Sequence, residues 1–169
     1  MIRLERYKGP GTLERAIEIA ARAHKGARAH KGARDKGGSP YILHPLRVMM
    51  RQVTDEARMA AVLHDVVEDT GITLEDLRDK AGFPPVVLRA LELVTKRKDG
   101  AGENLDTYEE FIERCAADPV ARAVKLADLE DNLDARRLTE FDVAAAERFA
   151  KYLRGYRRLA RLEAQHGAP

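Results

Sequence analysis

The amino-acid sequence predicts an all-α fold. Apolar residues recur with helical spacing along most of the 169-residue chain, and no stretch alternates β-branched with polar residues as a strand does. Threonine, aspartate and proline stand repeatedly just before these apolar series, where helices prefer to begin. We therefore expect one domain over residues 1–169, built as a bundle of about seven or eight helices.

Capping residues and prolines mark the first three helices. Thr12 precedes the first one. Pro45 suits the first turn of the second, expected over residues 46–53, because the N–H that proline lacks has no partner there. Thr54 caps the third, over residues 55–69, whose alanine, valine and leucine residues place it deep in the core.

The same signals continue after the third helix. Thr73 and Asp76 have the spacing of a capping box before a short helix. Pro84 and Pro85 introduce the next helix, which runs through residues 86–96. Two further helices are thereby predicted.

A loop and two long helices complete the prediction. Residues 97–104 have turn composition and no apolar anchors, which makes them a loop and a candidate lid. Asp118 and Pro119 provide an N-cap and a first-turn residue for a long helix. Apolar spacing predicts a last helix over about residues 143–162.

Composition excludes several classes of function. Lysine and arginine total 30 against 28 acidic residues, so the formal charge of +2 provides no strong field for nucleic acid or an anionic membrane. The charged opening residues indicate neither a secretory signal nor a membrane span, and we expect a cytosolic location without a membrane partner. Cys115 is the only cysteine, which rules out an internal disulfide and a cysteine-rich zinc site. We expect its thiol to be buried and inert.

A short duplication interrupts the helical pattern. The six residues AHKGAR at positions 23–28 recur at positions 29–34, and two copies are too few for a solenoid. We interpret them as a basic connection between helices, because no aromatic side chains are interleaved as nucleic-acid binding would require. His24 and His30 each begin an HKGAR copy; we expect at least one to be a solvated loop histidine and leave both out of the candidate ligand set.

Chemically active side chains are concentrated in HDVVED, residues 64–69, within the otherwise apolar third helix. An ionised carboxylate removed from water is costly unless a cation or hydrogen bonds compensate it, and a divalent metal is the largest compensation available. On a continuous helix Glu68 lies one turn from His64. Asp69 lies one turn from Asp65 in the same way, so the four groups can share one cleft.

Two distant segments offer further ligands. Asp128 stands within the apolar series of KLADLEDNLD and is expected to point inward, with Asn132 one turn farther on. His44, in PYILHP, has apolar neighbours that anchor it near the core. Two imidazoles and two carboxylates suit Mn²⁺, Fe²⁺ or Zn²⁺. Because such an ion activates water and neutralises phosphoryl charge, phosphoester hydrolysis is the predicted chemistry.

Four motifs resemble, in order along the chain, those of HD-superfamily hydrolases of the RelA/SpoT type: AHKGARDKGGSPYILHP, AVLHDVVEDTGIT, ALELVTK and VKLADLEDNLD. The resemblance covers most of the chain and is strongest to the stand-alone small alarmone hydrolases. It implies an HD-type helical bundle that hydrolyses guanosine-3′,5′-bis(diphosphate) and its pentaphosphate analogue, together (p)ppGpp, to GDP or GTP plus pyrophosphate. The chain lacks room for the synthetase and regulatory domains of long members, so we expect hydrolysis without synthesis.

The resemblance also implies roles for individual residues. It gives as metal ligands His44, His64, Asp65 and Asp128. The implied ion is Mn²⁺, with Zn²⁺ or Fe²⁺ as alternatives. Glu68 and Asp69 match the pair that orients or deprotonates the attacking water. Lys36 matches a phosphate-binding position, and Asn132 matches a position that binds the nucleoside part of the substrate.

One position departs from the resemblance. Nucleotide-stacking members of the family carry an arginine where this chain has Asp35, which cannot stack on a purine and repels phosphate. Either Arg34, one position earlier, or the extra arginine and lysine of the duplicated segment can substitute. NADPH, whose ribose carries a 2′-phosphate, is therefore an alternative substrate, and nucleotide sensing without turnover is an alternative function. We expect Tyr41 to pack behind His44, and Lys125 to face either solvent or the substrate phosphates.

Overall fold

Helices form all the regular structure in the part of the chain that is described. The computed structural model describes residues 4, 7, 9–25, 34, 35 and 38–166. Within these ranges no strand forms, and two isolated antiparallel bridges join Arg34 to Pro40 and Lys98 to Asn104. The helices are α1 (Leu13–Lys25), α2 (Leu43–Met50), α3 (Asp55–Leu63), α4 (Val66–Asp69), α5 (Leu74–Asp79), α6 (Pro85–Val94), α7 (Tyr108–Ala116), α8 (Pro119–Asn132) and α9 (Val143–His166), with a 3-10 turn at Ala135–Arg137.

The predicted all-α class is confirmed, and several helix starts are confirmed with it. Thr54 caps α3 by accepting a hydrogen bond from Ala57 N, and Asp118 caps α8 by accepting from Val120 N and Ala121 N. Thr73 and Asp76 form a complete capping box at α5. Counted as one interrupted helix, α3 and α4 bring the described total to eight, in line with the prediction.

Helix α2 begins at Leu43, before the predicted start at residue 46. Pro45 is its third residue, a position that tolerates proline because the first N–H groups of a helix have no intrahelical acceptor. His44 therefore belongs to the first turn of α2, where the helical backbone fixes the direction of its side chain.

The prediction of a continuous helix over residues 55–69 is wrong. The helix is interrupted at His64 and Asp65, between the end of α3 and the start of α4, although both residues keep right-handed helical backbone angles. Nδ1 of His64 lies 2.7 Å from the carbonyl oxygen of Ala61, the oxygen that the N–H of Asp65 would use in a continuous helix. A side chain that enters the backbone ladder in this way interrupts the helix.

Helix α7 is missing from the sequence-based prediction, although its start carries a clear signal. Thr107 Oγ1 accepts from Glu110 N at 3.2 Å, and a Glu110 carboxylate oxygen accepts from Thr107 N at 2.8 Å. This reciprocal capping box is readable from the sequence. α7 packs against α6, α8 and α9 and carries Tyr108 and Phe111 to the cleft described below.

Helix α3 is the central element of the core. It packs against α1, α2, α6 and α8, and residues 60–63 are completely buried. Burial of each valine or leucine side chain contributes about 1.5–3 kcal/mol. A smaller cluster of Ile112, Leu129 and Leu159 joins α7, α8 and α9. The packing of α2 and α8 on α3 brings polar residues from all three segments together.

The structure bears on the predictions about membrane-spanning segments and about Cys115. None of the helices in the described ranges combines the length and hydropathy that a bilayer crossing needs. Cys115 is buried in α7, as expected, and its Sγ donates to the carbonyl oxygen of Leu93 at 3.3 Å. Burial raises the pKa of the Cys115 thiol to about 11, so little of the reactive thiolate forms at neutral pH.

Cys115 is expected to resist modification in the folded protein. At neutral pH, 5,5′-dithiobis(2-nitrobenzoate) should label native protein at least about 100-fold more slowly than urea-unfolded protein, because burial limits both access and ionisation. Absorbance of the released thionitrobenzoate measures both rates. Equal rates would contradict the buried, inert thiol.

Gly82, between α5 and α6, should not tolerate a side chain. Its φ is 71°, a left-handed conformation that costs other residues about 1–2 kcal/mol, and a Cβ there would overlap the backbone oxygen of Gly9. Gly82→Ala should lower the free energy of unfolding by more than about 1 kcal/mol. Gly71→Ala is the control, because its Cβ meets open space and should change that energy by less than about 1 kcal/mol. Urea denaturation followed by circular dichroism measures both; equal effects would contradict the explanation.

Candidate metal centre

Four side chains from three segments meet at one place beside α3. His44 comes from the first turn of α2, and Asp128 comes from α8. His64 and Asp65 form the turn between α3 and α4. His44, His64 and Asp128 are each no more than 5% exposed, and Asp65 is partly buried. The packing of α2, α3 and α8 thus brings together the four residues that the sequence indicated as metal ligands.

The facing atoms of His44, His64 and Asp65 all lie within 4.8 Å of one another, close enough to share one small ion, and Asp128 Oδ1 faces both imidazoles. His64 Nε2 lies 3.1 Å from Asp65 Oδ2 and 3.7 Å from Asp128 Oδ1. His44 Nε2 lies 3.6 Å and 3.3 Å from the same two oxygens. Ligands bound at about 2.0–2.2 Å to a common ion are about 3.0–3.5 Å apart. Nε2 of His64 is buried and has no hydrogen-bond partner among the described residues, a deficit that a metal would satisfy.

Hydrogen bonds to the other ring nitrogens turn both imidazoles with Nε2 toward this point. Nδ1 of His64 lies 2.7 Å from the oxygen of Ala61, which can only accept, so Nδ1 carries the proton. Nδ1 of His44 lies 2.7 Å from Oδ2 of Asp131. When each ring is neutral, its Nε2 lone pair therefore faces the point where an ion would bind, as is usual for metal-binding histidine.

Both carboxylates at this point stay ionised despite their surroundings. Burial by itself would raise the pKa of Asp128, but Lys125 and the two imidazoles hold that pKa well below its usual value. For Asp65 the same effect of burial is outweighed by the positive charge of His64 and then His44, which lowers the pKa. Burial would lower the pKa of His64, yet Asp65 and Asp128 raise it well above its usual value. The two carboxylates thus create a demand for positive charge where the four side chains meet.

The four residues line a cleft of about 830 Å³, a volume in the range of small-molecule sites. Cationic side chains also line it, namely Arg34, Lys96, Lys125, Arg137, Arg148 and Lys151. Aromatic rings complete the lining, among them Tyr108, Phe111, Phe149 and Tyr152. The cleft can therefore accept an anionic ligand with an aromatic part.

Glu68 and Asp69 of α4 line the same cleft. The break before α4 does not separate them from the candidate centre, because Asp69 N donates to Asp65 O at 2.9 Å and continues the helical turn. Glu68 Oε1 accepts from Lys96 Nζ at 2.5 Å. Two further carboxylates thus lie beside the converging residues.

Three other residues named from the sequence contact the carboxylates of the centre. Asn132 Nδ2 donates to Asp128 Oδ1 at 2.5 Å, and Lys125 Nζ donates to Asp128 Oδ2 at 2.7 Å. The Tyr41 hydroxyl donates to Asp65 Oδ2. The Tyr41 ring packs edge-on against the imidazole of His44, with the two centroids 5.8 Å apart. Lys125 is 14% exposed, so it faces the cleft and its ion pair instead of bulk solvent.

The residues near the duplicated segment are only partly described. Lys36, the expected phosphate contact, lies outside the described residues. Asp35 lines the cleft with a side chain that is 5% exposed. Its Oδ1 accepts from Ser39 N at 2.9 Å, and its Oδ2 lies 3.4 Å from a guanidinium nitrogen of Arg137. Arg137 therefore offsets negative charge at the position where the sequence departs from the family pattern, and Arg34 lines the same cleft.

His24 is not a solvated loop histidine, so the expectation that at least one histidine of the duplicated segment is solvated now rests on His30. His24 lies in α1 and is completely buried, with its ring centroid 4.9 Å from that of Tyr41. It packs in the core because α1 extends into the first copy of the duplicated segment, as far as Lys25. His30, in the second copy, lies outside the described residues.

Asp131 is the residue near the centre that sequence reasoning missed. It is 1% exposed and follows Asp128 by about one turn of α8. Its carboxylate contacts His44, Arg47 and Arg137. The available signal was the three-residue spacing from Asp128, which puts both carboxylates on one face of the helix.

Comparisons with known proteins place the fold among characterised relatives. No protein-family model matches the chain. A GTP pyrophosphokinase of Streptomyces coelicolor is 38% identical over 132 residues, which are 74% of this chain and 15% of that protein. The human guanosine-3′,5′-bis(diphosphate) 3′-pyrophosphohydrolase MESH1 is 38% identical over 136 residues, which are 75% of this chain and 71% of that protein.

A solved structure, described as a metazoan ortholog of SpoT that hydrolyses ppGpp, matches with a TM-score of 0.60 and 27% identity, covering 95% of this chain and 98% of the other. The chain spans only 15–17% of four bacterial relatives, among them the S. coelicolor protein. It spans most of MESH1. The chain belongs to the RelA/SpoT-type family of HD hydrolases that includes MESH1.

Proposed function

We propose that this chain is a divalent-metal-dependent hydrolase that removes pyrophosphate from the ribose 3′ position of (p)ppGpp. The observation that carries the proposal is the convergence of two imidazoles and two carboxylates at one point, with two further carboxylates beside them in a cleft that cationic side chains also line. Similarity to MESH1 over 71% of its length supports the choice of substrate.

The proposed ligands of the metal are His44, His64, Asp65 and Asp128. Two nitrogen and two carboxylate ligands suit Mn²⁺, the proposed ion, and also Zn²⁺ or Fe²⁺. When bound, such an ion activates water as a Lewis acid and neutralises charge on the phosphoryl group. The chain itself contributes the orientation of the rings and the exclusion of bulk water around buried ligands, which strengthens each electrostatic interaction.

Glu68 and Asp69 are the proposed catalytic carboxylates. One of them accepts a proton from the attacking water, whose oxygen bonds to the phosphorus next to the ribose 3′-oxygen. The bond between that phosphorus and the 3′-oxygen breaks, and the 3′-oxygen takes up a proton. The products are pyrophosphate and GDP or GTP. Lys96 contacts Glu68 at 2.5 Å in the free chain and holds its carboxylate at the edge of the cleft.

Other residues of the cleft are suited to binding the substrate. We propose Lys36 as a phosphate contact and Asn132 as a contact to the nucleoside part. Arg148 of α9 lines the cleft and offers a further cation to phosphate. Repulsion between phosphate and Asp35 is reduced because Arg137 lies 3.4 Å from that carboxylate.

Replacing either catalytic carboxylate should abolish turnover while the metal stays bound. Glu68→Gln and Asp69→Asn should each lower kcat by about 10²–10⁴-fold, the usual contribution of a general base. Pyrophosphate released from (p)ppGpp in the presence of Mn²⁺ measures the effect. Affinity for Mn²⁺ should be nearly unchanged, because neither residue is a proposed ligand.

A matched control is Glu92→Gln, which changes an exposed glutamate of α6 that does not line the cleft. It should leave pyrophosphate release unchanged. Full activity in both Glu68→Gln and Asp69→Asn would contradict the assigned roles. Orthophosphate released from NADPH, with no pyrophosphate from (p)ppGpp, would instead favour the alternative 2′-phosphatase.

Metal binding should also stabilise the fold. An ion that binds only the folded chain adds about 2.7 kcal/mol at a concentration 100 times its Kd, which raises the Tm of a chain of this size by about 5–10 °C. Scanning calorimetry of chelator-stripped protein with and without Mn²⁺ measures the shift. His64→Gln should remove most of it. A Tm of the unchanged chain that Mn²⁺, Zn²⁺ and Fe²⁺ all leave unaltered would contradict the metal centre.

A further inference from the structure

Asp131 contacts a proposed metal ligand without reaching the centre itself. It is 1% exposed on α8, and its Oδ2 lies 2.7 Å from Nδ1 of His44. The opposite ring nitrogen of His44 faces Asp65 and Asp128 at 3.6 Å and 3.3 Å. The imidazole is therefore held between a carboxylate on one side and the candidate centre on the other.

Three arginines surround the same carboxylate. Arg47 donates to both of its oxygens, from Nε to Oδ1 at 2.6 Å and from a terminal nitrogen to Oδ2 at 3.0 Å. A terminal nitrogen of Arg137 donates to Oδ2 at 2.6 Å, and one of Arg51 lies 3.4 Å from Oδ1. A buried carboxylate needs such compensation. These contacts fix its position and leave Oδ2 directed at His44.

We propose that Asp131 is a positioning residue for the metal centre, which accepts the Nδ1 proton of His44 and so keeps the Nε2 lone pair directed at the ion. The inference rests on the proposed metal site. Carboxylates that hold metal-binding histidines in this way raise ligand basicity and fix the ring. Arg47, Arg51 and Arg137 act through Asp131, because their pairing keeps its carboxylate in place.

His44 depends on this contact in a way that His64 does not. The Nδ1 proton of His64 is held by the backbone oxygen of Ala61, which no substitution of a side chain removes. The Nδ1 proton of His44 is held by the side chain of Asp131. A change at Asp131 therefore perturbs one of the two imidazole ligands and leaves the other as an internal reference.

The Asp131→Asn variant tests whether Asp131 positions the ring of His44 or only pairs with the arginines of α2. Asparagine has the same shape but only one acceptor oxygen, so an NH₂ group must face either His44 or Arg47. Mn²⁺ affinity, measured from the free-ion signal in electron paramagnetic resonance, should fall by about 10–100-fold. Circular dichroism reports whether the variant is folded.

The matched control is Asp118→Asn, at the other end of α8. Asp118 is also a buried carboxylate, 9% exposed, with an arginine partner, Arg89, at 3.3 Å, but it lies away from the centre. Asparagine caps a helix about as well as aspartate, so this variant should stay folded and its Mn²⁺ affinity should be unchanged. A folded Asp131→Asn variant in which the Nδ1 proton of His44 exchanges freely, yet Mn²⁺ still binds within about twofold of the unchanged chain, would overturn the inference.

A measurement on the unchanged chain keeps the inference testable if Asp131→Asn does not fold. In ¹⁵N NMR of the Zn²⁺-loaded protein, His44 should bind zinc through Nε2 and show an Nδ1–H signal protected from exchange. Zinc on Nδ1, or rapid exchange of that proton, would overturn the inference. Neither readout requires turnover, so a chain that binds Mn²⁺ but releases no pyrophosphate from (p)ppGpp would contradict the proposed function alone.

Discussion

The architecture around the cleft depends on compensating two ionised carboxylates, Asp65 and Asp128, where α2, α3 and α8 meet. Carboxylates in such a place are stable only beside positive charge or hydrogen-bond donors. The chain supplies both: two imidazoles face the pair, Lys125 bonds to one carboxylate, and a tyrosine hydroxyl bonds to the other. The proposed ion would neutralise the negative charge that these side chains leave uncompensated.

The core gives this arrangement its precision. Each converging side chain lies on a helix or at a helix end. The buried helix α3 packs against α2, α6 and α8, which all contribute residues to the cleft. The turn after α3 interrupts the helix, and the hydrogen bond from His64 Nδ1 to the oxygen of Ala61 fixes the orientation of the imidazole. One backbone hydrogen bond of the helix is thus lost, and the ring of a proposed ligand is held in place instead. The surrounding apolar packing stabilises this arrangement.

Helical period and capping residues predicted the fold class and most helix starts, because both signals are local. The break at His64 was not predictable in this way, since it depends on a ring nitrogen that competes for a backbone oxygen. α7 was readable from Thr107 and Glu110 and was overlooked. Among site residues, the His-Asp pair was conspicuous in an apolar helix. Asp131 was not, because its partners on α2 are remote in sequence and appear only after α2 and α8 have packed.

Anomalous X-ray diffraction from crystals grown with Mn²⁺ tests the central claim most directly. One strong peak is expected about 2.0–2.3 Å from a ring nitrogen or carboxylate oxygen of each proposed ligand, namely His44, His64, Asp65 and Asp128. A peak that lies elsewhere, or one that leaves His44 or Asp128 beyond coordinating distance, would contradict the proposed centre and with it the hydrolytic function.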